Sequence, residues 1–229
     1  MKPNEFINSL EKEFNKHSNQ IVAKSQQAYM RNKFNFYGLT ASQRREIQKP
    51  IIKKYIQLLK TNLEQLIKNL WEKEHRDYQY CAQELILHNT KQFKISDIYL
   101  FEFMIKHKSW WDTIDFVSPK ILGIYFKLYP ETIEKQIDKW IMSNNIWLQR
   151  SCLLFQLKYK ENLNTQLLSH VIHSLSDSKE FFINKAIGWI LREYSKTNQE
   201  WVIDFVKKTK LSNLSTKEAL KFSEKSSNK

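Results

Sequence analysis

The sequence predicts an all-α protein, an α-solenoid of HEAT-like helical repeats, and three observations carry that prediction. Only Gly38, Gly123 and Gly188, with Pro3, Pro50, Pro119 and Pro130, punctuate the 229 residues. A turn-rich β protein needs many more such breakers. Apolar periodicity of the helical kind recurs along the chain. One set of helices is expected to begin near Asn62, Ile95, Glu131, Leu163 and Asn198, and a second set near His75, Trp110, Ile146 and Phe181. Successive starts lie about 32 to 36 residues apart, and helix pairs repeating at such an interval are the signature of a solenoid. The interval is shorter than the usual HEAT or armadillo repeat, hence "HEAT-like"; a bundle without repeats is the alternative. A single repeat domain over residues 1–229 is expected, with its last few residues frayed.

Local signals place the elements in order. Pro50 should kink or divide the segment from Ser42 to Leu59. Ser109 and Asp112 stand three apart, as in a capping box, which gives Asp112 a structural task at a helix start. Ser118-Pro119 reads as a fresh start, splitting 110–129 into a short helix and a longer one. Pro130 suits the first position of a helix running to Ser143, and Thr197-Asn198 suits the loop before the next. From Ser212 onward the chain thins out into Lys, Ser and Asn.

Thirty-seven Lys and Arg stand against 24 Asp and Glu, a formal charge of +13. Such a balance points to a polyanion, either nucleic acid or an anionic membrane surface. A Lys-rich composition inherited from an A/T-rich genome is the bland alternative. Cys81 and Cys152 lie far apart among apolar helical neighbours and read as reduced core thiols. The N-terminus lacks the apolar core of a signal peptide, and no run approaches the roughly 18 apolar residues of a bilayer span. A soluble, cytoplasmic monomer is the expectation.

Several chemistries are excluded. Three glycines leave no phosphate-cradling loop. No Cys/His cluster suits zinc or an iron–sulfur centre, and no Ser sits in a nucleophile elbow. His170 and His173, three apart, have no acidic partner in metalloprotease spacing and read as helix-surface residues.

The chemically pointed stretch is Ser109-Trp110-Trp111-Asp112-Thr113-Ile114-Asp115. Adjacent indoles cannot share a helical face. Trp110 falls in phase with Ile114 and Val117 and is the core candidate, whereas Trp111 aligns with Asp115 at i+4 and is expected to be exposed. An indole beside a carboxylate is doubly attractive to cations, through the ring quadrupole and through charge. Asp115 is either a solvated helix residue or a carboxylate that meets a cation on a phosphate-binding face. Trp189 is either an ordinary buried indole or part of that site, and Gly188 beside it hints at close approach. Arg150, after the packing residues Trp147 and Leu148, is either a surface cation or a bidentate phosphate ligand. The remaining basic residues, Lys158 and Arg192 among them, are spread along the array. They are either a solvated surface or the lining of a groove that follows a duplex.

Residues 109–115, Asn145-Ile146-Trp147-Leu148-Gln149-Arg150 and the run 178–194 together closely resemble the AlkD family of DNA alkylation repair glycosylases. Tyr29-Met30-Arg31-Asn32-Lys33-Phe34 looks like that family too, so the resemblance runs from about residue 5 to 220. It departs around Leu39-Thr40-Ala41-Ser42 and in the tail. The resemblance implies a concave, basic solenoid face cradling alkylated double-stranded DNA, and hydrolysis of the N-glycosidic bond of N3- and N7-alkylated purines without drawing the base into a pocket. It implies Trp111, Asp115 and Trp189 as the catalytic cluster and Arg150 on the backbone near the lesion. Tyr29 matches a position close to the lesion, and Arg192 and Lys158 are assigned to DNA binding beside them. No metal, organic cofactor, membrane or obligate protein partner is expected. The competing expectation is a non-catalytic DNA-binding or protein-binding scaffold of the same fold.

Overall fold

The computed structural model describes residues 3–227, and side chains as far as 222. Two compact units divide it, residues 1–89 and 90–229. Among the described residues the regular structure is helical, apart from one isolated bridge between Asn35 and His75.

The first unit holds α1 (Pro3–Lys16), α2 (Gln20–Tyr29), α3 (Ala41–Lys54), α4 (Ile56–Glu72) and α5 (Arg76–His88). Helix α1 buries Phe6, Ile7, Leu10 and Phe14 on one stripe, the pattern of a helix packed on one side. The Asn19 side chain caps α2, accepting from the Ile21 and Val22 amides. Gly38 adopts φ +80°, and a Cβ there would stand 2.0 Å from the Asn19 carbonyl, so no other residue fits. The stretch that departs from the resembled family has a structural use, because Thr40 and Gln43 form a reciprocal capping box for α3. The segment from Ser42 to Leu59 divides at Tyr55, five residues beyond Pro50. Helix α3 runs through the proline to Lys54 and ends at Tyr55, and the distortion inside α4 falls at Asn62. A proline without an N–H deletes one helical hydrogen bond, which the flanking turns tolerate.

The second unit holds α6 (Ile98–Lys106), α7 (Trp111–Val117), α8 (Gly123–Leu128), α9 (Ile133–Ile141), α10 (Ile146–Leu154), α11 (Thr165–Leu175), α12 (Phe181–Tyr194), α13 (Gln199–Lys208) and α14 (Asn213–Ser227). Helices α7, α10, α12 and α14 form one series of neighbours, α9, α11 and α13 their partners in each pair. This is the α-solenoid arrangement of stacked helix pairs, and its boundaries follow the sequence beat. Asn145, Asn164 and Asn198 cap α10, α11 and α13 with their side-chain oxygens. Hydrogen bonds join residues about one repeat apart: Tyr159 to the Gly123 carbonyl at 2.7 Å and Tyr129 to the Phe93 carbonyl at 2.6 Å, both across 36 residues. The core is aromatic and aliphatic, centred on Phe101, Tyr125, Phe126, Trp140 and Phe155, all buried.

Three local expectations need correction. No capping box forms at Ser109; its hydroxyl turns back to the Ile105 carbonyl, and Trp110 occupies the cap position with extended backbone. Ser118-Pro119 does not restart a helix. Residues 118–122 form a π-type turn that joins α7 to α8, because the missing Pro119 N–H removes an α-helical bond and the Gly123 amide reaches Ser118 instead. Beyond Ser212 the sequence reading places no further helix start, yet the chain folds as α14, which buries Ser215, Glu218 and Ala219 against α12. Fraying is expected for the last few residues, of which 228 and 229 lie outside the described residues and those up to 227 are helical. Cys81 and Cys152 are free and buried, as read from their neighbours, and burial pushes the Cys81 thiol up to about 12.

Candidate active site

Trp111 and Asp115 lie one helical turn apart on α7, with Trp111 half-buried. Trp110 is 8% exposed, as its phase predicted, and packs edge-on against Trp147 at 5.8 Å and Phe182 at 5.3 Å between ring centres. Trp147 and Phe182 are themselves 5.0 Å apart. The three rings come from the starts of α7, α10 and α12 and hold those ends together.

That packing delivers Arg150 of α10 to Asp115. The Arg150 Nε and Nη2 groups donate to Asp115 Oδ1 at 3.0 and 2.7 Å, and Nη1 donates to the Phe182 carbonyl at 2.5 Å. A relay below it fixes the register of the two helices: Ser118 Oγ donates to Ser151 Oγ at 3.0 Å, which donates to the Trp147 carbonyl at 2.8 Å. The Arg150 side chain is 3% exposed, so it is no surface cation, and the Asp115 side chain is 22% exposed. Both guanidinium bonds fall on Oδ1, which leaves Oδ2 for solvent or substrate. Burial pushes the Asp115 carboxyl above the usual carboxylate range, and the Arg150 charge and hydrogen bonds pull against that rise. The result is an oriented carboxylate of raised basicity one helical turn from an indole, suited to stabilising a cation and to taking a proton from water.

Trp189 is half-buried on α12, two turns beyond Phe182 on the same face. Arg192, one turn further, pairs with Glu218 of α14. Lys158 is exposed after α10. Tyr29 is 70% exposed at the end of α2, in the first unit, and is followed by Arg31 and Asn32 in the left-handed region. His170 and His173 are on a helix surface as read, His170 against Asp138 at 3.1 Å. A cleft of about 720 Å³ between α1 and α3, lined by Lys12, Glu13, His17 and Glu46 among others, includes none of the predicted site residues. Among the described residues no group of three His, Cys, Asp or Glu is placed to hold a metal, and no helix is long and apolar enough to cross a membrane.

Sequence reasoning missed the Phe182 carbonyl, the Ser118–Ser151 relay and Glu218. A backbone acceptor leaves no mark in a sequence. The other contacts had a signal in the repeat itself: Asp115 and Arg150 are 35 residues apart, Ser118 and Ser151 are 33, and Lys185 and Glu218 are 33. Residues one period apart on neighbouring helices of a solenoid face each other.

Residues 10–222 match the family described as DNA alkylation repair enzyme. A solved structure described as a predicted DNA alkylation repair enzyme from Enterococcus faecalis is 35% identical, with a TM-score of 0.83 over 90% of this chain and 96% of that one. No functionally curated protein sequence matches.

Proposed function

This chain belongs to the DNA alkylation repair enzyme family, and on that premise we propose that it is a monofunctional DNA glycosylase. Its substrates are N3- and N7-alkylated purines in duplex DNA, released as free bases to leave an abasic site. The observation that carries this reading is the Asp115 carboxylate, held on one oxygen by Arg150 and open on the other, one helical turn from Trp111. Arg150 offsets the charge of Asp115 so that the pair need not repel phosphate, and the open oxygen remains for a developing cation.

Alkylation at N3 or N7 makes the purine cationic and a good leaving group without further activation. As the glycosidic bond breaks, its electron pair leaves with the base and positive charge develops on the sugar. Asp115 stabilises that charge, and Oδ2 positions the water that attacks C1′ and accepts its proton. Trp111 and Trp189 offer ring faces to the cationic nucleotide, at about 0.5 to 2 kcal/mol for each good contact. Arg150 spends three of its five N–H groups on Asp115 and Phe182. With that side chain 3% exposed, its first role is to hold Asp115, and the backbone contact near the lesion is left to its two remaining N–H groups. Tyr29, Arg192 and Lys158 complete the DNA contacts. On this reading residues 1–229 act as one HEAT-like repeat domain, as a cytoplasmic monomer, with no metal, organic cofactor or obligate protein partner and without extruding the base into a pocket.

The test is release of free bases from methylated duplex DNA, followed by chromatography, for wild type and Asp115→Asn. Release of 7-methylguanine or 3-methyladenine by the wild type, lost in a variant that still folds, supports the reading. Salt-sensitive binding with no release by either protein would leave a DNA-binding scaffold in its place.

A further inference from the structure

Three cations from two helices meet at one buried carboxylate in the second unit. Glu218 of α14 has a side chain only 3% exposed; its Oε2 accepts from Lys185 Nζ at 2.6 Å and from Lys221 Nζ at 2.7 Å, and its Oε1 accepts from Arg192 Nη1. The Lys185, Arg192 and Lys221 side chains are 39, 33 and 44% exposed. The acid therefore lies beneath the surface and the cationic heads lie at it. Three cations on one anion leave a local surplus of two positive charges.

The helices beneath are fixed. A Cβ on Gly188 of α12 would stand 2.5 Å from Glu218 Cβ and 2.9 Å from the Ser215 carbonyl, so only glycine lets α14 lie this close. Ser215 Oγ donates to the Asn184 carbonyl at 2.8 Å across the same seam. Lys185, Trp189 and Arg192 fall at i, i+4 and i+7, one stripe of α12, so two of the cations flank the indole assigned above to the site.

A single carboxylate is neutralised by a single cation. A second and third cation at the same point repel the first, and half-exposed ion pairs add little stability. An anion on their open side relieves the surplus. We propose that Lys185, Arg192 and Lys221 form a station for a backbone phosphate of duplex DNA, with Glu218 as the positioning residue that gathers their heads. This rests on the DNA-acting reading above and extends it to α14, to two lysines and to an acid that touches no DNA.

The sign of one substitution tests it. Long-range electrostatics alone says that removing a carboxylate near DNA strengthens binding. Positioning says that Glu218→Gln weakens it, because the cationic heads disperse. Binding of fluorescent undamaged duplex is measured by anisotropy between about 50 and 200 mM salt, where each lost phosphate contact reduces the slope by about 0.9. Lys185→Gln/Lys221→Gln should lower the slope by about 0.9, the loss of one phosphate contact, and Glu218→Gln should weaken binding about three-fold or more with an unchanged far-ultraviolet spectrum. Tighter binding by folded Glu218→Gln, or an unchanged slope in the double lysine variant, overturns the proposal. If Glu218→Gln does not fold, the lysine variant decides alone. Base release by wild type from the same preparation is scored separately, so a phosphate station without glycosylase activity is a distinguishable result.

Discussion

Asp115 and Arg150 meet through two hydrogen bonds onto a single carboxylate oxygen, 3.0 Å from Nε and 2.7 Å from Nη2, across 35 residues of chain. A side-by-side fork would engage both oxygens; this one engages Oδ1 and leaves Oδ2 open. The pair thus combines a fixed orientation with a free lone pair, which is what an acceptor of a water proton requires.

Removing Arg150 should be costly twice over. Arg150→Ala strands a partly buried carboxylate and the Phe182 carbonyl, and a loss of about 3 kcal/mol is expected in urea unfolding. Arg150→Ala/Asp115→Asn should cost less than the sum of the single variants, because they share one interaction. Additive losses would mean that the pair is not coupled in solution.

Base release should carry the titration of Asp115. Burial raises this carboxyl above its ordinary 3.8 against the pull of Arg150. The charged form is the working form, so it is present above the folded-state value and lost as pH falls through it. The acid limb of the release rate is therefore expected above 3.8, and Asp115→Asn should abolish that limb with the activity. A wild-type profile flat down to pH 3.8 would contradict it.

Glu218 should behave in the opposite sense. Burial alone would raise it, but hydrogen bonds from Lys185 and Lys221 and the charges of Arg192 and Lys185 outweigh burial and hold it at about 2, against an ordinary 4.5. A depressed carboxyl contributes stability that is complete above 4.5 and disappears as pH falls towards 2. The stability gap between wild type and Glu218→Gln, measured by thermal unfolding, should be constant above pH 4.5 and close across that window.

Gly188→Ala should destabilise, although alanine is the better helix former by about 1 kcal/mol. The added methyl would press on the Glu218 side chain and the Ser215 carbonyl. Overpacking of this kind costs about 1 to 3 kcal/mol. A higher melting temperature for Gly188→Ala would show that α14 does not sit on α12 as described.

What the sequence determined by itself is whatever obeys a local period. Helix starts near His75, Trp110, Ile146 and Phe181 follow from the 3.6-residue pattern, and the asparagine cap at 198 follows from side-chain chemistry within three residues. The deeper burial of Trp110 than of Trp111 follows from helical phase, although Trp111 is half-buried and not fully exposed. Tertiary structure alone decided where the cations go. Arg150 turned inward to Asp115, Arg192 and Lys185 gathered on Glu218, and the tail became a helix because its buried face had α12 to cover. Those outcomes depend on the register of helices one repeat apart, where a shift of one residue turns a side chain by about 100°. Local propensity does not specify that register; packing does, through the aromatic cluster of Trp110, Trp147 and Phe182 and the close approach at Gly188.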